Sequence, residues 1–228
     1  MQLRDRLLHA AFLTPLDYAR NASEYRIIRG AAVTSRSPSG PVSLHFKGGG
    51  QELSTLAADP SSSAEIVLAR IILAEEFDSF PALVPVRGSV EDMLKRADVA
   101  LLVGDPSRRE HDARMDTLDL VEAWLELTDL PYVYGFWCGR ERSLSNVEVT
   151  GFQRAHTQVH ETRQGAPPET DGSRVELFDY LFPKQAEDAV REYLHYAFYH
   201  GFLPDVPDLA YFSGGASNGA GEKEPDPH

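Results

Sequence analysis

Apolar and polar positions along this chain change period several times, and each change marks an element. Leu3 to Leu8 is amphipathic at helical spacing, His9 to Leu13 is a short apolar run, and Thr14-Pro15 breaks it. Tyr25 to Ile28, Gly30 to Ser35 and Val42 to Phe46 read as strands, because β-branched and aromatic residues cluster there between turn formers. The Gly48-Gly49-Gly50 break that follows predicts a crossing between two lobes.

From Leu53 the chain alternates. Strands are predicted over Leu53 to Ala57, Leu83 to Pro85 and Val99 to Val103, with helices over Ser63 to Glu76, Val90 to Arg96 and Leu118 to Leu127. Such alternation predicts an α/β lobe around a mainly parallel sheet. Pro131 to Cys138 reads as a strand leaving that lobe. A helix over Val149 to Arg163, a Gly/Pro-rich loop at Gly165 to Gly172 and a long helix from Lys184 to Tyr199 complete the pattern, with Gly201 as the stop signal. The expected organisation is a discontinuous first lobe, 1–50 with 139–212, a second lobe over 51–138, and a disordered tail over 213–228, where Gly, Pro and acidic residues replace apolar ones.

Composition narrows the function classes. With 228 residues, 42% hydrophobic and 25% charged, the chain has material for one large domain or two small lobes. No run approaches the roughly 20 apolar residues of a membrane span, and the opening Met1-Gln2-Leu3-Arg4-Asp5-Arg6 lacks the long apolar core of a secretion signal. A cytoplasmic protein with no membrane partner is expected. A net charge of −13 argues against nucleic acid and anionic lipid, which need a basic surface. The single cysteine, Cys138, rules out an internal disulfide and a cysteine-rich zinc site, and reads as a small buried apolar residue.

Three places carry candidate chemistry. Asp59-Pro60-Ser61-Ser62-Ser63-Ala64-Glu65 follows a strand and opens a helix. Free N–H groups at the helix start, with the Ser61 and Ser62 hydroxyls, suit a carboxylate. The same residues also read as a capping box, Ser62 with Glu65 three positions on. Leu101-Leu102-Val103-Gly104-Asp105 is a buried strand ending in Gly104 and Asp105, at the edge where ligands of open α/β sheets gather, or is an ordinary strand exit with a turn aspartate. Thr14, after the first short strand, is a ligand hydroxyl or a turn residue. His156 and His160 lie four apart on a helix, without a His-Glu-x-x-His pattern, and read as surface histidines. No phosphate loop is present, because the Gly48 to Gly50 run lacks the lysine and the serine or threonine.

Several segments, taken in order, resemble consecutive blocks of the chorismate dehydratases of the futalosine route to menaquinone. They are Ala11-Phe12-Leu13-Thr14-Pro15-Leu16-Asp17-Tyr18, Tyr25-Arg26-Ile27-Ile28, Asp59-Pro60-Ser61-Ser62 with Leu68-Ala69-Arg70-Ile71-Ile72-Leu73, Leu101-Leu102-Val103-Gly104-Asp105, Asp119-Leu120-Val121-Glu122-Ala123-Trp124, Leu127-Thr128-Asp129-Leu130-Pro131-Tyr132-Val133-Tyr134 and Tyr196-Ala197-Phe198-Tyr199-His200-Gly201. The resemblance covers most of residues 10 to 212. It implies a two-lobed type II periplasmic-binding-protein-like fold. The implied reaction takes chorismate, bound in the cleft, to 3-[(1-carboxyvinyl)oxy]benzoate and water, with no metal or organic cofactor. By position it implies substrate-binding roles for Thr14, Ser61, Ser62, Gly104 and Asp105, and it leaves the catalytic base unassigned.

The chain departs from the family pattern in three respects. The family's Tyr-Leu-Asn motif lies several tens of residues ahead of the Thr14 block, so the first lobe is expected to be incomplete at its N-terminus. A Thr-Ser pair is replaced by Ala64-Glu65, and a glycine by Val121. The alternative reading is a non-catalytic or truncated protein of the same fold that binds a small carboxylate.

Overall fold

In the computed structural model the described residues are 3, 7–37, 41–48, 53–104, 116–164 and 178–213. The strands form two sheets. The first contains β1 (Ala10–Leu13), β2 (Tyr25–Ser35), β8 (Tyr132–Arg140) and β9 (Phe178–Asp179), in the order β1-β8-β2-β9 and antiparallel throughout. The second contains β3 (Val42–Phe46), β4 (Thr55–Ala58), β5 (Ala82–Pro85), β6 (Val99–Val103) and β7 (Thr117–Asp119), in the order β5-β4-β6-β3-β7. Its β5, β4 and β6 are parallel, and β3 pairs antiparallel with both β6 and β7.

The chain therefore crosses to the second sheet between Ser35 and Val42, and returns between Asp119 and Tyr132. Both joints differ from the expected ones at 50/51 and 138/139. Val42–Phe46 sits in the second sheet because its apolar alternation matches that of β6, with Leu44 opposite Leu101 and both buried. Tyr132–Arg140 sits in the first, between β1 and β2, where Phe136 and Cys138 are fully buried.

Six helices lie among the described residues: α1 (Pro15–Ala19), α2 (Ser63–Phe77), α3 (Val90–Leu94), α4 (Leu120–Thr128), α5 (Asn146–Gln164) and α6 (Lys184–Tyr199). Nine of the 15 residues of α2 are buried, and they lie all round the helix, the pattern of a helix enclosed by its neighbours. It runs through the main apolar cluster with Leu16 and Tyr18 of α1, Leu56 of β4, Trp124 of α4, and Val190 and Leu194 of α6. This cluster joins the two sheets. A smaller one packs α3 (Val90, Met93, Leu94) on the opposite face of the second sheet, against Ala57, Ala100 and Leu102. A third packs Val149 of α5 against Ile28 and Ala31 of the first sheet.

Helix α4 starts at Leu120, two residues later than Leu118, because the Asp119 carboxylate accepts from the Val121 and Glu122 amides at 2.8 and 3.2 Å. Thr117–Asp119 is thereby released to pair with β3. Val121 is fully buried, so it fills core space. The expected turns at Gly49-Gly50 and Gly165 to Gly172, residues 4–6 of the segment Leu3 to Leu8, and the tail beyond Ser213 lie outside the described residues.

Candidate functional site at the sheet switch point

In the second sheet, β4 has β5 on one side and β6 on the other, both parallel to it. The connection through α2 leads to β5, and the connection through α3 returns across β4 to β6. The two helices cover opposite faces, since α2 packs with Leu56 and α3 with Ala57. Strand order thus reverses between β4 and β6. In open α/β sheets the crevice outside the carboxyl ends of two such strands is where ligands bind. Here that crevice is bounded by the Asp59–Ser62 loop after β4 and by Gly104 after β6.

Gly104 has a φ of +81°, a conformation natural to glycine, and among the described residues no atom beyond its chain neighbours lies within 4 Å of where a Cβ would sit. Its N–H donates to the Pro41 carbonyl at 2.6 Å, which secures the strand end beside the crossing between sheets. Asp105 lies outside the described residues.

The serine loop is organised by Asp59. One carboxylate oxygen accepts from the Ser61 amide at 2.9 Å and from the Ser61 hydroxyl at 2.8 Å, and the other faces Arg87 Nε at 2.7 Å. These contacts, the Ser61 hydrogen bonds first, hold the Asp59 carboxyl below the usual range. The Ser61 hydroxyl is therefore turned into its own loop. Ser62 stands at the N-cap of α2, with φ −90° and ψ 53°, and makes no side-chain capping hydrogen bond. The Ser62–Glu65 capping box does not form. The Glu65 carboxylate instead accepts from its own backbone amide.

Thr14 follows β1 and caps α1. Its hydroxyl accepts from the Asp17 amide at 3.1 Å and donates to the Asp17 carboxylate at 3.0 Å, while Arg20 Nη1 lies 3.6 Å from the other Asp17 oxygen. Asp17 in turn faces Glu65, since helices α1 and α2 pack together. Burial raises the half-buried Glu65 carboxyl above the usual carboxylate range, and the Asp17 charge raises it further. Tyr132 at the start of β8 and Tyr193 on α6 border the same carboxylate. Burial first, and then Glu65, pushes both phenols well up. The fold thus brings the Thr14–Asp17 cap, the first turn of α2, Tyr132 and Tyr193 together where the two sheets meet.

Sequence reasoning singled out Thr14, Ser61, Ser62 and Gly104 but passed over Asp17, Tyr132 and Tyr193 as candidates for the site. The Thr14-x-x-Asp17 spacing is itself a capping signal. The tyrosines carried no local signal, because their place depends on how α6 docks on α2.

The histidines on α5 fasten secondary structure. His156 Nδ1 lies 2.9 Å from the Tyr180 carbonyl and His160 Nδ1 lies 3.0 Å from an Asp179 oxygen, so both join α5 to β9 and its exit. Among the described residues, no three His, Cys, Asp or Glu side chains converge as metal ligands. Cys138 is fully buried, and desolvation drives its thiol well up. Among the described residues no helix is long and apolar enough to cross a membrane.

Two sheets linked by two crossings, with a switch-point crevice at the strand ends of the second, define a periplasmic-binding-protein-like fold. Solved structures share it. Protein AF1704 from Archaeoglobus fulgidus matches with a TM-score of 0.62 at 20% identity, covering 89% of this chain and 84% of that one. The periplasmic aliphatic sulphonate binding protein SsuA from Escherichia coli matches at 0.56 and 12%, covering 100% and 82%. An ABC transporter from Parabacteroides distasonis matches at 0.51 and 17%, covering 91% and 83%. A family model described as menaquinone biosynthesis matches residues 1–198, and the chain belongs to that family.

Proposed function

We propose that this protein is a chorismate dehydratase-like lyase of menaquinone biosynthesis, acting in the cytoplasm on chorismate to give 3-[(1-carboxyvinyl)oxy]benzoate and water. The observation that carries the reading is the crevice at the switch point, bounded by Ser62 and Gly104, in a chain of the menaquinone biosynthesis family. The ligand is taken between a first lobe built on β1, β2, β8 and β9 and a second built on β3 to β7.

The chemistry asks little of the site. A proton leaves the ring carbon that bears the ether, hydroxide leaves the neighbouring carbon and departs as water, and the ring becomes aromatic. Positioning, a proton acceptor and stabilisation of the leaving oxygen suffice, without a metal or organic cofactor. The start of α2 presents backbone N–H groups and a favourable dipole to one substrate carboxylate, and the Ser62 hydroxyl, not used in capping, adds a donor. Gly104 leaves room for the ring. Thr14 and Ser61 reach the ligand by giving up their present bonds to Asp17 and Asp59. Asp105, the residue after Gly104 in the sequence, is retained as a substrate-binding candidate.

One observation favours a second reading, a non-catalytic binder of a small carboxylate. Glu65 puts a desolvated carboxylate near Asp17 at the first turn of α2, which disfavours a dianion when both are ionised. Incubating the purified chain with chorismate, with chromatography of substrate and product, separates the two. Product above the uncatalysed control supports the lyase. Saturable chorismate binding without turnover supports the binder, and neither sinks both.

A further inference from the structure

Arg70, on α2, holds its guanidinium 4.9 Å from the centre of the Phe202 ring and makes no ion pair among the described residues. This is notable in a chain with 35 acidic and 22 basic residues. The side chain opens onto a pocket of about 490 Å³ lined by Arg70, Phe80, Tyr199, His200, Gly201 and Phe202. That volume falls in the range of small-molecule sites. Gly201, at a φ of +75°, lines the pocket just past the end of α6, and among the described residues no atom beyond its chain neighbours lies within 4 Å of a notional Cβ.

Apart from Arg70 and Gly201, the wall is aromatic. His200 Nε2 lies 2.8 Å from a Glu75 carboxylate oxygen. Tyr199 meets His200 edge-on at 5.2 Å, and the Phe80 and Phe202 rings each lie 6.4 Å from it. Yet Phe80 and Tyr199 are 69% and 80% exposed, so two large rings flank the opening with little of their surface covered. Arg70, the pocket's residue on α2, lies eight residues beyond Ser62 at the start of the same helix, about 12 Å at the helical rise. The pocket is therefore separate from the switch-point crevice.

We propose that this pocket binds a monocyclic aromatic carboxylate, its carboxylate paired with Arg70 and its ring held between Phe80 and Tyr199. A guanidinium presents a planar fork of donors that matches a carboxylate, and stacking on Phe202 orients that fork. A small inorganic anion would use the charge but leave both rings bare. An uncharged aromatic would cover the rings but leave the cation unpaired. A ligand with both features uses the whole wall.

The test is 19F NMR of 4-fluorobenzoate titrated with the full chain, with acetate and inorganic phosphate as competitors. Saturable binding is expected, with both competitors at least about tenfold weaker. Arg70→Gln should lower affinity about tenfold or more, the loss of a charge-assisted pair. Tyr199→Ala, a change at a surface position, should lower it about threefold or more with the fold intact, so the test holds even if Arg70→Gln does not fold. Ser62→Ala, at the other crevice, should leave fluorobenzoate affinity unchanged. No saturable binding overturns the proposal. So does competition by acetate equal to that of fluorobenzoate, unchanged affinity in Tyr199→Ala, or loss in Ser62→Ala with retention in a folded Arg70→Gln protein.

Discussion

The phenolic hydroxyl of Tyr193 donates to the main-chain carbonyl of Ala64 at 3.1 Å, joining residues 129 positions apart. The bond ties α6 to the first turn of α2, the turn that opens on the switch-point crevice. Tyr193 is buried, and its ring packs edge-on against Trp124 at 6.1 Å. The Ala64 carbonyl, inside a helix, also accepts the ordinary bond from four residues on, so losing the phenol does not orphan it. Tyr193→Phe should then cost about 1 kcal/mol, the net worth of a single hydrogen bond. Thermal denaturation should show a drop of roughly 2–4 °C. A larger loss of chorismate affinity than of stability would mean that the bond also holds α2 in its binding position.

Glu65 predicts a dependence on pH. Burial raises its folded-state pKa above the unfolded value, with Asp17 adding to the effect. The folded protein therefore holds this proton more tightly than the unfolded chain does. Stability from this group is full below the ordinary carboxylate pKa and falls as pH rises toward the folded value. Glu65→Gln keeps the shape and removes the titration. Denaturation midpoints of the two proteins should agree most closely in acid and separate as pH rises toward neutral, with the glutamine variant the more stable. Parallel curves across that range would show that Glu65 is solvated.

Gly135 on β8 is closed in by β1. A Cβ there would lie 2.5 Å from the Phe12 ring and 2.6 Å from the Leu13 carbonyl oxygen. Part of that clash is with backbone, and a rotamer change in Phe12 does not relieve it. Gly135→Ala should destabilise by about 1–3 kcal/mol, as overpacking does. Urea denaturation would register this as a lower midpoint with an unchanged slope. An unchanged midpoint would mean that β1 can move away from β8 at no cost.

The sequence was most legible where one period runs unbroken. Val99–Val103 and Lys184–Tyr199 form the predicted strand and helix at the predicted residues, and Gly201 adopts the positive φ of a helix stop. Tyr25 to Ile28 and Gly30 to Ser35 read as two strands but are one, because Gly30 takes a φ of +74° within an irregularity that shifts the register between Ile27 and Ala32. The short strands β7 and β9 have too few residues to show a period. The site was half legible. Ser62 and Gly104 follow from their place at strand ends, whereas the sheet to which Val42–Phe46 belongs, and the meeting of Glu65 with Asp17, Tyr132 and Tyr193, depend on long-range pairing.

Ser62 offers the sharpest test of the crevice. A serine at a helix N-cap ordinarily accepts from the helix amides, and replacing it with alanine costs about 1 kcal/mol. Ser62 makes no such bond, so Ser62→Ala should leave the denaturation midpoint close to that of the parent chain. Its hydroxyl is instead available to a ligand carboxylate at the start of α2, and one hydrogen bond to a charged group is worth about 1.5–3 kcal/mol. Chorismate affinity, measured by calorimetry, should therefore fall about tenfold or more. Ser61→Ala should behave differently, because its hydroxyl already donates to Asp59 at 2.8 Å and its loss loosens the loop. The two variants together separate the roles. A Ser62→Ala protein that loses stability but keeps its affinity would show that Ser62 caps the helix in solution, and would remove it from the site.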